Sequence, residues 1–157
     1  MDIGIGIPNA VQGASGPQLL DWAKRAEDAG FSTLASIGAV SYPNYEELTV
    51  FAAAAAITQR IRLMTNVLIA PARSSAELAK QAATVDQISD GRLTLGLGVG
   101  WRPGDFTLTG RDFEQRGELF DQQLRELRTA WAGQALTAET RPVSPPPVQD
   151  PIPVLIG

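Results

Sequence analysis

The chain contains no cysteine and no histidine among its 157 residues. The first absence removes disulfides and thiolate metal sites. The second removes the commonest general base and the commonest metal ligand, so neither a zinc site nor a Ser-His-Asp triad is expected within the chain. No apolar run reaches the roughly 18 residues that suggest a membrane span. The opening residues MDIGIGIP carry no basic segment leading into a long apolar one. No signal peptide is expected, and the cytoplasm is the default compartment. Positive charge is not in excess either. Thirteen Lys and Arg stand against seventeen Asp and Glu, mixed along the chain, for a formal net charge of −4. That balance argues against nucleic acid or an anionic membrane as a partner. What is present is 44% hydrophobic and 19% charged, enough for one domain, residues 1–157, with a real core.

Glycine is not scarce, and its placement is informative. Residues 92–106 read RLTLGLGVGWRPGDF. A buried strand begins after Gly91, and from Gly96 every second position (Gly96, Gly98, Gly100) lacks a Cβ. A strand stripped of side chains on one face leaves room for another backbone or for a flat ligand. Trp101, Arg102 and Asp105 follow at its mouth. In sheets built from βα units, ligands sit at the carboxyl ends of the strands.

The remaining chain alternates strands and helices. Residues 2–8 alternate Ile with Gly and read as a strand. Pro17 suits a first helical turn, Leu19, Trp22, Ala23 and Ala26 follow at helical spacing, and Gly30 closes the helix. Residues 31–37 form a second strand. Asn44, with Glu47 as box partner, is placed to cap a helix whose stripe is Leu48, Phe51, Ala52 and Ala55. A third strand is expected over 61–69. Ser74 with Glu77 caps a helix carrying Leu78, Ala82 and Val85. After the strand over 92–99, residues 107–111 read as loop. Asp112 and Gln115 open a helix with the stripe Phe120, Leu124, Leu127 and Trp131. A proline-rich loop over 134–151 precedes a fifth strand over 152–156.

This is β(αβ)4, with units of roughly 30 residues, as parallel crossovers require. A doubly wound sheet and a (β/α)8 barrel both fit the alternation, although a complete barrel normally takes about 250 residues. A nucleotide-binding module would need a glycine fingerprint and an anion site at a helix N-terminus. The first loop, GIGIPNAVQGASG, has no third glycine in register and no Lys or Arg.

Several segments together resemble the luciferase-like monooxygenase family: DIGIGIP, AEDAGFSTL, IRLMTNVL, ELAKQAATVDQISDGRLTLGLGVGWRPGDF, RDFEQRGELFDQQLRELRTAW and PPPVQDPIPVLIG. They run through the chain in order, with family-like spacing, and cover the N-terminal half of the family barrel. The resemblance implies an α/β, TIM-type (β/α)8 barrel present in part, with parallel strands in sequential order and a break after the fifth. It implies a flavin- or deazaflavin-dependent oxidoreductase or monooxygenase acting on a small organic substrate. The cofactor would be FMN or the 8-hydroxy-5-deazaflavin coenzyme, held at the C-terminal face of the barrel.

By the same resemblance, Asn66–Val67, after Thr65, matches a non-prolyl cis peptide behind the ring. Gly98, Val99, Gly100 and Trp101 match the wall beside it. Thr65, Asn66, Val67, Gly98, Val99, Gly100 and Trp101 are thus the expected cofactor contacts, with no metal. On this expectation the glycines let a flat ring approach the backbone and Trp101 stacks at its rim. No catalytic acid or base is assigned. Asn9, Arg102 and Asp105 are the polar candidates in loops after strands. The Asp-His pair that deazaflavin-type members carry after the second strand falls here on Gly38 and Ala39. The alternative is a non-catalytic half-barrel without cofactor. Two open strand edges, and apolar faces on helices 48–56 and 119–131, point to a homo-oligomer.

Overall fold

The computed structural model describes residues 1–157. Its elements are β1 (Gly4–Gly6), α1 (Gly16–Asp28), β2 (Thr33–Ser36), α2 (Glu47–Ile57), β3 (Arg62–Thr65), β4 (Leu68–Ile69), α3 (Ser75–Ser89), β5 (Leu93–Gly98), α4 (Pro103–Thr109), α5 (Arg116–Trp131) and β6 (Val154–Ile156). All strand pairs are parallel. β1 pairs β2, β2 pairs β3, and β5 takes β3 and β4 along one edge and β6 along the other. This is the sequential order of a barrel, without the reversal of a doubly wound sheet.

One face of the sheet carries the core. Leu34, Leu63 and Leu93 are in register across β2, β3 and β5 and are fully buried, as are Leu95 and Leu97. They meet Leu19, Ala23 and Ala26 of α1, Phe51, Ala54 and Ala55 of α2, and Leu78, Ala79 and Ala82 of α3. The alanines let the helices lie close to one another and to the sheet. The opposite, concave face is open: Thr33, Arg62, Met64, Thr94 and Leu155 line a hollow of about 570 Å3 with Asp2, Ser32 and Pro153.

Three local expectations change. The third strand is two strands, because the chain bulges at Asn66–Val67. Asn44 does not cap α2; Glu46 does, its carboxylate accepting from Leu48 N and Thr49 N. A carboxylate adjacent to the first turn reaches its free N–H groups, and Asn44 lies too far upstream. Residues 103–109 form a helix, started by Pro103 and closed by Gly110 in the left-handed region at φ +66°. Ser74 caps α3 as expected. The helix faces expected to lie bare are covered within the chain: Leu48, Phe51, Phe120, Leu127 and Trp131 belong to the core.

The N-terminal ends of the strands are held by two charged side chains. Glu27 accepts from the backbone N–H groups of Gln59, Arg60 and Ile61 at 3.0, 2.6 and 2.8 Å. Arg92 donates to the carbonyls of Ala55, Thr58, Ile61 and Ser89. Burial pushes the Glu27 carboxyl up, but the three N–H groups and the Arg92 charge outweigh it and leave it below its ordinary value. The Glu27 contribution is therefore present above the ordinary carboxylate range and is lost as pH falls through the lowered value. Glu27→Ala strands three backbone donors and is expected to cost about 2–3 kcal/mol. The urea midpoint should fall with an unchanged slope; an unchanged midpoint would mean that water replaces the carboxylate without loss.

Candidate functional site

At the C-terminal ends of the strands the backbone leaves the regular ladder. β3 stops at Thr65, the Asn66–Val67 peptide is cis, and β4 resumes at Leu68. The bulge is tied on both sides. Asn66 N donates to Ser36 O at 2.7 Å, and Gly38 N donates to Val67 O at 3.2 Å, both from the end of β2. Thr65 Oγ1 donates to Gly96 O of β5 at 2.7 Å. Asn66 remains exposed.

The β5 glycines face this bulge. A Cβ on Gly96 would overlap the Thr65 carbonyl oxygen, and one on Gly98 would stand 2.7 Å from Val67 Cγ2. At Gly100, φ is +80° and a Cβ would stand 2.6 Å from Ile69 Cγ2. The space left by the missing side chains is thus filled by Thr65, Val67 and Ile69. The missing side chains therefore do not open room for a ring, as the sequence suggested; they let β5 close on the bulge. Thr65, Val67, Gly98 and Gly100 come together as one wall. Val99 is 37% exposed and Trp101 73% exposed beside it.

The polar candidates separate. Asn9 is buried and bridges strand ends, donating to Ile37 O at 2.8 Å and accepting from Ile37 N. Asp105 is 1% exposed. Its Oδ1 accepts from Val40 N, Ser41 N and Ser41 Oγ at 2.9, 2.6 and 2.8 Å, which latches the loop after β2 to α4. Both of these polar candidates are thus consumed by structural hydrogen bonds, and Asp105 lies in α4 and not in a loop. Arg102 stays at the surface, its guanidinium 4.6 Å from the Trp101 ring and 5.2 Å from the Tyr42 ring. Tyr42, Ile37 and Val40 are exposed on the same rim.

Glu47 was expected only as the box partner of Asn44, a role it does not fill because Glu46 caps α2. It stands in the first turn of α2, where an acid reads as helix-dipole complement. Its partner Arg73 is distant in sequence and donates to Glu47 Oε1 at 2.9 Å and to Glu46 Oε1 at 3.0 Å. One guanidinium thus serves two acids, and they diverge. Burial pushes Glu47 up to about 7 against the Arg73 charge. Burial also pushes Glu46 up, but hydrogen bonds from Thr49 and Leu48 and the Arg73 charge leave it below its ordinary value.

Two expectations follow. Gly96→Ala, which overlaps backbone, should destabilise the fold by about 1–3 kcal/mol or more. Gly6→Ala, where a Cβ meets nothing within 4 Å, should change stability by less than about 0.5 kcal/mol. Equal losses in urea unfolding would contradict this account of the wall. For Glu47 the folded value is raised, from 4.5 to about 7. Its contribution is therefore fully present below about pH 4.5 and is lost as pH rises through about 7, an effect of about 3 kcal/mol. Glu47→Gln, which cannot ionise, should gain on the parent chain by that order between pH 5 and 8 in unfolding experiments.

Comparison with known proteins agrees with this geometry. The family model for luciferase-like monooxygenases matches residues 1–157. An uncharacterized protein of Mycobacterium tuberculosis (strain H37Rv) is 34% identical over 112 residues, which is 67% of this chain and 40% of that one. Monooxygenase RslO1 from Streptomyces bottropensis superposes with a TM-score of 0.84 at 28% identity, covering 99% of this chain and 53% of that one. Two structures below 25% identity share the fold. They are the oxygenating constituent of 3,6-diketocamphane monooxygenase from Pseudomonas putida, in complex with FMN (TM-score 0.81, 22% identity, 99% and 51% covered), and the coenzyme F420-dependent tetrahydromethanopterin reductase from Methanopyrus kandleri (0.73, 22%, 99% and 49%). The chain spans about half the length of these proteins. With its sequential parallel strands and its bulge beside β5, the chain belongs to the luciferase-like monooxygenase family.

Proposed function

We propose that this chain contributes the ring-binding half of a flavin- or deazaflavin-dependent oxidoreductase of the monooxygenase type, acting on a small organic substrate. The observation that carries the proposal is the rim itself. Ile37, Val40, Tyr42, Val99 and Trp101 offer exposed apolar surface at the C-terminal strand ends, next to the wall built from Thr65, Val67, Gly98 and Gly100. The missing Cβ of Gly6 points into open space at the end of β1. A flat, largely apolar ring with polar edges fits such a surface. FMN and the 8-hydroxy-5-deazaflavin coenzyme are the two groups proposed, since relatives of this fold are described in complex with FMN or as dependent on coenzyme F420.

In this proposal the cofactor, when bound, supplies the hydride or oxygen chemistry. The chain's residues hold and shield it. Asn66 and Val67 back the ring, Gly98 to Gly100 border it, and Trp101 closes the rim by stacking. Arg102, already stacked on Trp101, sets a positive charge at the mouth. Asp105 and Asn9 keep the surrounding loops in place and take no part as acid or base. No helix is long and apolar enough to cross a membrane.

A second proposal concerns assembly. The concave sheet face is uncovered, and β1 and β6 each have one unpaired edge. Unpaired edges favour strand addition, so a second copy is the proposed occupant. Sedimentation is expected to show a dimer or larger species at micromolar concentration, and a well-behaved monomer would refute it.

The cofactor proposal is tested by incubating the chain with FMN or with the deazaflavin coenzyme, desalting, and following tryptophan fluorescence. One of the two is expected to be retained and to quench emission. Trp101→Ala should weaken binding about threefold to tenfold, as loss of one aromatic contact implies. Retention of neither cofactor would overturn the proposal for this chain.

A further inference from the structure

Glu47 is almost wholly buried, with 1% of its side chain exposed. It does not cap α2, since Glu46 fills that role. Its carboxyl lies instead against Gly38, where a Cβ would come within 2.5 Å of Glu47 Oε1 and within 2.9 Å of the Val67 carbonyl oxygen. The Gly38 N–H donates to that same Val67 oxygen. The acid is therefore seated on the contact that joins the end of β2 to the bulge. Glu47 Oε1 accepts from Arg73, while Oε2 is buried with no hydrogen-bond partner.

We propose that Glu47 is a protonatable positioning residue of the ring site. Its proton state sets the Gly38–Val67 contact, and the affinity of the site for a flavin-type ring follows it. The proposal rests on the reading that the ring seats against the bulge. An acid with one oxygen unpaired in a closed spot is better tolerated neutral than charged. The charged groups set against it are Arg73, from the segment leading into α3, and Glu46, at the start of its own helix. The end of β2 and the bulge present backbone at Gly38 and Val67. Arg73 is shared with Glu46, so it compensates Glu47 only in part. On ionisation the carboxylate draws toward Arg73, to which it is already hydrogen-bonded, and its packing against Gly38 shifts with it. The value of about 7 places this change near neutral pH.

The test measures FMN affinity by fluorescence titration from pH 5.5 to 8.5, with the deazaflavin coenzyme in a parallel arm. The parent chain is compared with Glu47→Gln and Glu47→Asp. Protons on the ligand itself are common to all three proteins and cancel in the comparison. The parent affinity is expected to fall at least threefold relative to Glu47→Gln as pH rises through about 7. Glu47→Gln should keep its low-pH affinity across the range. Glu47→Asp, whose shorter side chain withdraws from Gly38, should bind more weakly at low pH and show a displaced midpoint. That variant carries the test if Glu47→Gln does not fold. Identical pH profiles for parent and variants would overturn the role of Glu47 and leave the ring site standing. Failure of the parent chain to bind either ligand at any pH would overturn the ring site, and this proposal with it.

Discussion

Close approach of β5 to the β3–β4 bulge is possible only because no Cβ stands at Gly96, Gly98 or Gly100. The Thr65 carbonyl, the Val67 side chain and the Ile69 side chain occupy those three places. β5 is also the strand to which β3, β4 and β6 all pair. A side chain at Gly96 would therefore displace the hub of the sheet as well as the wall of the rim. The contact fixes where Thr65 and Val67 stand, and through the Gly38 and Asn66 hydrogen bonds it also fixes the end of β2.

The two ends of the sheet use charge differently. At the N-terminal ends, Glu27 and Arg92 are saturated with backbone partners, and their role is cohesion. At the C-terminal ends one guanidinium, that of Arg73, stands between Glu46 and Glu47, and one of the two acids is left with an unpaired buried oxygen. Placing acids of unlike environment side by side pushes their proton affinities apart. In βα barrels the N-terminal face of the strands commonly serves stability, and Glu27 and Arg92 serve it here.

Several residues change meaning once neighbours are known. Asp105 and Asn9 look like free polar groups in loops, yet each is consumed by backbone hydrogen bonds across the rim. The alanine-rich α2 looks like an interface between copies, yet its apolar face is filled by α1, α3 and the sheet. The surface left uncovered is the concave side of the sheet. There Thr33, Arg62, Met64 and Thr94 alternate with the buried leucines, so strand periodicity alone marks it as a second face without naming its occupant.

The sequence by itself determined the order of strands and helices, the Ser74 cap, the core stripes of α3 and α5, that of α1 apart from the exposed Trp22, and the glycine-rich end of β5. These depend on neighbours within a few residues, through hydrogen-bond reach, helical spacing and the presence or absence of a Cβ. Family-like segments also located the bulge at Asn66–Val67. What only the tertiary structure decided lies in contacts between distant segments. It split the third strand, turned residues 103–109 into a helix docked through Asp105, and filled the glycine face with Val67 and Ile69. It also set Glu47 between Gly38 and Arg73. No local pattern encodes such contacts, because burial and charge compensation depend on which segments the fold brings together.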